Sequence, residues 1–216
     1  MQPIANDSAR LVFDDALMKD CIDHLQLPFE EVNDALLQYH RVFITRYANS
    51  INFVSHLPGH ARILELAAAP YGMTAALRYH LFENLELASF ENPKGAGFSS
   101  VENERRIKIS VHGRKYDLKE TIFNAESDIW PYPNDSFDAI ICCEMIEHMA
   151  FDPMQVFAEA NRTLRSGGLF FVSTPNACCI QNLLKIVARQ QPGLAQNYRL
   201  PKKHGRHLQK AQSRIN

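Results

Sequence analysis

An acidic residue followed by a run of small residues is the part of this chain that points most directly to chemistry. The segment Arg62-Ile-Leu-Glu-Leu-Ala-Ala-Ala-Pro-Tyr-Gly-Met-Thr74 starts as a short apolar run and then opens into small residues. Residues 73–81 are typical of a helix. A strand that turns into a helix presents free backbone N–H groups and a positive dipole end to a cleft. With Glu65 beside it to hold a cation or ribose-like hydroxyls, this turn predicts a site for a nucleoside-like ligand with a carboxylate or phosphate at one end.

Three further polar segments lie at the ends of predicted strands. They are residues 124–138, residues 140–148, which end in Glu-Met-Ile-Glu-His, and residues 164–176, which end in Ser-Thr-Pro-Asn. Ligands of parallel sheets bind at the carboxyl ends of the strands. We therefore expect these segments to meet around the same cleft as Glu65.

Short apolar runs alternate with helical patterns from residue 61 onward, which predicts an α/β fold with a doubly wound, mainly parallel sheet. The predicted strands are residues 62–67, 84–90, 106–111, 139–143 and 169–173. The predicted helices are residues 73–81, 118–123, 145–149 and 153–164.

The N-terminal part of the chain has a different pattern. Residues 7–57 look helical, and apolar side chains recur at i, i+3 and i+4 from Asp34 to Val54. A Leu-Pro-Gly-His sequence closes this segment. We therefore predict an N-terminal helical cap over residues 1–57 and a ligand-binding domain over residues 58–216.

Composition excludes several classes of protein. The 216 residues are 46% hydrophobic and 22% charged, with a net charge of −1, so no basic excess points to nucleic acid. No apolar run reaches the length of a membrane span, and the N-terminal residues show no basic-then-apolar pattern of the kind expected for a secretion signal. The five cysteines form no Cys-x-x-Cys pair, and four lie in or after apolar runs. They predict buried thiols in a reducing, cytoplasmic compartment.

The four polar segments, taken in order along the chain, resemble those of class I S-adenosylmethionine (SAM)-dependent methyltransferases over about residues 61–207. The resemblance implies a seven-stranded doubly wound sheet with SAM as cofactor across the strand ends. It also implies transfer of the SAM methyl group to a nucleophile, here expected on a small-molecule or glycan-type acceptor.

The resemblance assigns the first loop to the cofactor. Glu65 matches the acid that holds the methionine end of SAM. Ala67, Ala69 and Tyr71 stand where the family usually has glycines, and Gly72 comes one place late. Alanine permits close approach of a ligand if its φ stays negative, whereas Tyr71 must point away from the ligand or stack on it.

Three more acids are assigned to the cofactor in the same way. Glu91 is preferred over Glu86 as the acid that takes the ribose hydroxyls, because Glu86 falls inside the predicted strand. Glu126 matches the loop that contacts the adenine amino group, and Glu144 ends the fourth strand. Trp130 nearby is better explained by packing, although it could line the adenine.

His148 is the candidate catalytic residue, as a general base toward a hydroxyl acceptor. His148 follows Glu144 and Glu147, and we call these three residues the acid-acid-His string. Helix capping and packing are the more common roles for such a string. The pattern also resembles RNA 2′-O-methyltransferases that bind a divalent metal through two Glu and two His, the second His falling near His204 or His207. Because the same string is common in methyltransferases without metal, no metal is assigned.

The last two strands of the family have no counterpart before Asn216, so the chain is expected to be shortened at its C-terminus. The open sheet edge that this leaves allows a homodimer. Two other interpretations remain open: a non-catalytic module that binds SAM or S-adenosylhomocysteine, and, less favoured, a nicotinamide-dependent oxidoreductase.

Overall fold

The computed structural model describes residues 12–27, 33–90, 104–149, 152–176 and 178–190, and in them a seven-stranded sheet lies between helices. The strands are β1 (Leu25–Gln26), β2 (Arg62–Leu66), β3 (Asn84–Ser89), β4 (Glu104–Val111), β5 (Arg114–Ile122), β6 (Phe137–Cys143) and β7 (Leu164–Ser173). The helices are α1 (Asp15–Asp23), α2 (Asn33–Val42), α3 (Ile44–Val54), α4 (Gly72–Ala76), α5 (Met154–Thr163) and α6 (Ile180–Val187).

The sheet has the order β1-β4-β5-β3-β2-β6-β7. Strands β5, β3, β2, β6 and β7 are parallel to one another, whereas β4 runs antiparallel to β5 and β1 antiparallel to β4. This arrangement confirms the prediction of a mainly parallel α/β sheet. In the register, Glu65 of β2 lies between Leu87 of β3 and Ile141 of β6, and β2 is the middle one of the five parallel strands.

Both faces of the sheet are buried, because successive side chains of a strand point to opposite faces. Ile63 packs in a cluster with residues of the N-terminal helices. Leu64 and Leu66 pack in the other cluster, with Trp130 and with Val156 of α5. Glu65 follows the Ile63 face by this alternation and therefore lies under the N-terminal helices.

The predicted helix at residues 118–123 is wrong, because these residues belong to β5. Side chains of β5 alternate in burial: Tyr116 and Leu118 are buried, whereas Lys115 and Asp117, which alternate with them, are exposed. The segment pairs with β4 on one side and β3 on the other. Pairing with two neighbours therefore outweighs its weak helical pattern.

Three other helices differ in extent from the prediction. The stripe from Asp34 to Val54 is divided at Phe43 into α2 and α3, and Val42 is left 77% exposed. The helix after β2 begins at Gly72 and continues from α4 into a π-helical turn, Leu77–Leu81. Residues 145–149 contain only a 3₁₀ turn, Ile146–His148.

The N-terminal segment is joined to the sheet as well as packed on it. Strand β1 pairs with β4, and α1 packs against α3 and α4. The domain boundary at residue 57 stays a prediction. None of the helices that the structure describes is both long enough and apolar enough to cross a membrane.

The cysteines are less uniformly buried than the sequence predicts. Cys21 and Cys142 are buried, but Cys143 and Cys179 are partly exposed and Cys178 is exposed. The expectation of buried thiols is therefore wrong for Cys178, which lies between β7 and α6.

Candidate functional site

Glu65 is a buried acid at the carboxyl end of the central strand. It is 2% exposed, and Thr74 Oγ1 donates a hydrogen bond of 2.7 Å to its Oε2. Burial is the main cause that raises the pKa of Glu65 to about 8, with the hydrogen bond from Thr74 lowering it and the charge of Glu120 raising it. The carboxyl therefore holds its proton at neutral pH and is poised to ionise when a cation comes near.

The loop after β2 turns small side chains outward. Ala67 and Ala69 are exposed, whereas Ala68 between them is buried. Ala67 has a φ of 55°, so the expectation of a negative φ is wrong at this residue. A left-handed alanine costs about 1–2 kcal/mol.

Tyr71 points into the protein, away from the exposed alanines. Its side chain is fully buried, and its hydroxyl lies 3.2 Å from both carboxylate oxygens of Glu120. Arg105 Nη2 donates to the same hydroxyl at 3.1 Å, and Arg105 Nε also binds Glu120. Burial, and then the charge of Glu120, raise the pKa of Tyr71 to about 12. This network anchors the loop to β4 and β5.

Gly72 is held under a histidine of α2. A Cβ on Gly72 would lie 2.3 Å from Nδ1 of His40, which is itself fully buried. His40 Nε2 lies 3.1 Å from the carbonyl oxygen of Pro70, and its Nδ1 lies 3.0 Å from the hydroxyl of Tyr47. Burial lowers the pKa of His40, so the ring is neutral. Because a carbonyl only accepts, Nε2 donates to Pro70 and Nδ1 accepts from Tyr47.

Helix α3 brings a cation to the carboxyl edge of the sheet. Arg46 Nη1 lies 2.7 Å from Oε2 of Glu144, the residue directly after β6. The guanidinium also lies 4.0 Å from the centre of the Phe43 ring. Arg46 Nε is buried and has no hydrogen-bond partner among the described residues. One donor of this cation is therefore unsatisfied by the described residues.

Cys143 connects these elements. Its thiol forms hydrogen bonds with Ser50 of α3 and Ser173 of β7. Burial raises the pKa of this thiol, whereas the two hydrogen bonds lower it. The charges of Glu65 and Arg46 also act on this pKa. Ser173 also donates to Glu144 at 3.3 Å. We call Arg46, Ser50, Glu65, Cys143 and Glu144 the edge cluster. It combines two acids and a cation where β2 and β6 end.

Other residues singled out in the sequence lie around the edge cluster rather than in it. Glu126 is half-buried in the turn after β5, where its N–H donates to Asn124 Oδ1 at 3.0 Å. His148 follows β6, with its side chain 48% exposed and its Nε2 3.9 Å from Oε1 of Glu147. Glu91 lies outside the described residues.

The acid-acid-His string does not form a metal site on its own. Within the described part of the chain, Glu144, Glu147 and His148 are not among the groups spaced to share an ion. His204 and His207 lie outside the described residues. Trp130 is 1% exposed and packs against Phe123, which supports the packing interpretation.

Several functional candidates were missed at the sequence level. Arg46 appeared only as one position of a helical stripe, and Arg105 carried no signal of its own. Glu120 fell inside the segment assigned to a helix. The signal for Glu120 would have been an acidic residue within a segment whose apolar and polar residues alternate, as they do in a strand.

A cavity of about 580 Å³ lies at the opposite edge of the sheet, where strands begin. It is lined by residues that include Arg62, Asp138 and Arg165. Its two arginines are engaged, Arg62 with Glu86 at 3.1 Å and Arg165 with Asp138 at 2.8 Å. Because ligands of parallel sheets bind at the carboxyl ends, the edge cluster is the better candidate site.

Comparison with known proteins agrees with this geometry. A family model described as a methyltransferase domain matches residues 39–214. A Mycolicibacterium smegmatis protein named "Probable S-adenosylmethionine-dependent methyltransferase" is 46% identical over 46 residues, 21% of this chain and 18% of that protein. Ubiquinone biosynthesis O-methyltransferase of Thiobacillus denitrificans is 31% identical over 102 residues, 44% of this chain and 42% of that protein. The chain thus spans less than half the length of these curated relatives.

Among solved structures, a SAM-dependent methyltransferase from Archaeoglobus fulgidus superposes with a TM-score of 0.46 at 9% identity. The match covers 71% of this chain and 64% of that one. The family model covers most of the sequence and includes both α3 and the edge cluster. The chain therefore belongs to the methyltransferase-domain family of class I SAM-dependent methyltransferases.

Proposed function

We propose that this chain binds SAM at the carboxyl edge of its sheet and methylates a small-molecule or glycan-type acceptor. The observation that carries the proposal is Glu65, a fully buried carboxyl in the centre of the sheet with a raised pKa. A buried acid of this kind is destabilising unless a partner compensates its charge. The ammonium group of a bound amino acid would be such a partner.

The residues of the edge fit the amino-acid end of SAM. Glu65 would pair with the ammonium group, and the free Nε of Arg46 would donate to the carboxylate. Ala67 and Ala69 would line the approach with small side chains, next to Gly72. Tyr71 would act indirectly, because its bond to Glu120 fixes the loop.

The remaining acids are proposed for the nucleoside end. Glu126 follows β5, which is two strands from β2 in the sheet, and it would contact the adenine. Glu91 would take the ribose hydroxyls. Glu144, held by Arg46 and Ser173, would contact the cofactor beside β6.

Bound SAM supplies an electrophilic methyl group, so the protein needs mainly to orient the reactants and to exclude water. Helix α3 covers the carboxyl edge through Arg46 and Ser50, which supports a role for the N-terminal cap in selecting the acceptor. His148 would take the proton from a hydroxyl acceptor. The O-methyltransferase among the relatives supports a hydroxyl group as the methyl acceptor.

Calorimetry with SAM tests the cofactor site. Wild type is expected to bind SAM and S-adenosylhomocysteine, and Arg46→Met is expected to weaken both about tenfold, because a charge-assisted hydrogen bond is lost. Binding of 5′-methylthioadenosine, which lacks the amino-acid end, should not change. Arg41→Met is the matched control, because Arg41 is an exposed arginine of α2 that pairs with Asp23 instead of Glu144. If wild type binds neither SAM nor S-adenosylhomocysteine at millimolar concentration, the cofactor proposal is wrong.

A release assay for S-adenosylhomocysteine tests the role of His148. His148→Gln is expected to lower kcat about a hundredfold with alcohol or phenol acceptors, since the general base is removed. The defect should shrink at high pH for phenols, which then ionise without a base. His56→Gln, an exposed histidine elsewhere, is the control. An equal loss of kcat with ionised and with neutral acceptors would contradict the role of His148 as a general base.

The same assay separates the alternatives. SAM binding without turnover on any acceptor would support a non-catalytic module, and a strict requirement for a divalent ion would support the RNA 2′-O-methyltransferase alternative. Cytoplasmic location and dimerisation through the edge of β7 stay predictions.

A further inference from the structure

Two histidines and an aspartate come together on the face of the protein where the N-terminal helix meets the sheet. Asp20 lies in the last turn of α1, and His24 is the residue that caps this helix. His112 lies in the turn between β4 and β5. The backbone fixes the approach, because the N–H of His112 donates to the carbonyl of His24 at 3.3 Å beside the Leu25–Val111 pair.

The side chains converge on a small volume. His112 Nε2 lies 2.8 Å from Oδ2 of Asp20, and His24 Nδ1 lies 3.3 Å from Oδ1 of the same carboxylate. The two imidazole rings stack with their centres 3.9 Å apart. One ligand atom from each residue lies within 4.8 Å of the other two, and this is the one such group among the described residues.

These distances suit one small cation. Ligand atoms of a tetrahedral zinc ion lie about 2.0–2.2 Å from the metal and therefore about 3.4 Å from one another. To reach that spacing the exposed side chains would have to rotate, and the ring of His24 would give up the bond of its Nδ1 to the carbonyl oxygen of Asp20, now 2.9 Å away. The last turn of α1 places Asp20 and His24 on one helix face, because residues four apart are neighbours there.

The donor set indicates which ion. Two imidazole nitrogens and one carboxylate oxygen favour zinc and its borderline transition-metal neighbours. Magnesium and calcium prefer sites made of oxygen ligands. All three residues are exposed, so water would complete the coordination.

We propose that Asp20, His24 and His112 form a surface site for a zinc-type divalent ion that fastens α1 to the β4–β5 turn. The ion would cross-link positions 92 residues apart in the chain, those of Asp20 and His112. Because α1 packs against α3 and α4, it would also steady the helix that carries Arg46. The site is distinct from the edge cluster and requires no SAM.

Calorimetric titration of tag-free, EDTA-treated protein with zinc chloride tests the proposal. We expect one zinc per chain in wild type and in the controls His60→Ala and Cys178→Ser. His24→Ala, His112→Ala and Asp20→Asn should each weaken binding by at least about tenfold. Magnesium and calcium chloride at equal concentration should give no binding.

Thermal unfolding gives a second readout. Zinc at about a hundredfold excess over its Kd should raise the Tm of wild type by roughly 5 °C or more, and the Tm of the three variants much less. Circular dichroism without metal checks that each variant is folded. If a histidine variant is not folded, the conservative variant Asp20→Asn is used for the test instead. Absence of zinc binding in wild type, or unchanged binding in the folded variants, would overturn the proposal.

Discussion

The variant Glu65→Gln is expected to be more stable than wild type at pH 8 and to bind SAM at least about tenfold more weakly. Glutamine keeps an oxygen that can accept the hydrogen bond from Thr74, but it has no carboxyl to ionise. The gain in stability and the loss of binding have one cause. A buried carboxyl is unfavourable in the protein alone and favourable beside a cation.

The direction of the pH effect follows from the protonation of Glu65 in the folded and in the unfolded chain. Below pH 4.5, the ordinary pKa of a glutamate, the carboxyl is protonated in both the folded and the unfolded chain. Above it, the unfolded chain loses the proton while the folded chain keeps it to about pH 8. The free energy of unfolding therefore falls as the pH rises from 4.5 to 8, by at most about 5 kcal/mol. Above pH 8 no further loss occurs.

Urea unfolding at several pH values between 5 and 8 measures this effect. The fall in the free energy of unfolding with pH should be smaller in Glu65→Gln than in wild type, and the two proteins should be closest in stability at pH 5. Glu86→Gln, in neighbouring strand β3, is the matched control for replacing a glutamate of the sheet by glutamine. Identical slopes in wild type and Glu65→Gln would refute the assignment of a proton to Glu65.

The variant Gly72→Ala is expected to lower the free energy of unfolding by about 3 kcal/mol. The added Cβ would lie 2.3 Å from Nδ1 of His40, so the imidazole must move. Its hydrogen bonds to Pro70 and Tyr47 would then be lost. Because Pro70 belongs to the loop after Glu65, SAM affinity should fall as well.

Chemical denaturation of a small set of variants tests this packing. Gly113→Ala is the control for backbone strain alone, since Gly113 has a φ of 75° and no atom within 4 Å of the added Cβ. It should lose only about 1–2 kcal/mol. In a His40→Ala background, Gly72→Ala should be much less harmful, because the clashing ring is gone. If Gly72→Ala lowers the free energy of unfolding equally with and without His40, the contact between residue 72 and His40 does not matter.

The alternation of short strands and helices after residue 61 and the acid near the end of β2 could be predicted because they depend on local pattern. The short, mostly apolar run of β2 and the small residues after it are visible in the sequence. The same reasoning failed at residues 118–123, where a weak helical pattern competes with strand pairing. Pairing partners are distant in the chain, so no local window contains them.

The sequence alone determined the α/β class, the position of Glu65 at a strand end and the family resemblance, because periodicity and order along the chain encode them. Only the tertiary structure decided that Tyr71 turns inward to Glu120, that His40 lies over Gly72, and that Arg46 reaches Glu144. Each of these contacts joins segments far apart in sequence. Local periodicity specifies which face of an element is buried, but the register and packing of distant segments decide what covers that face.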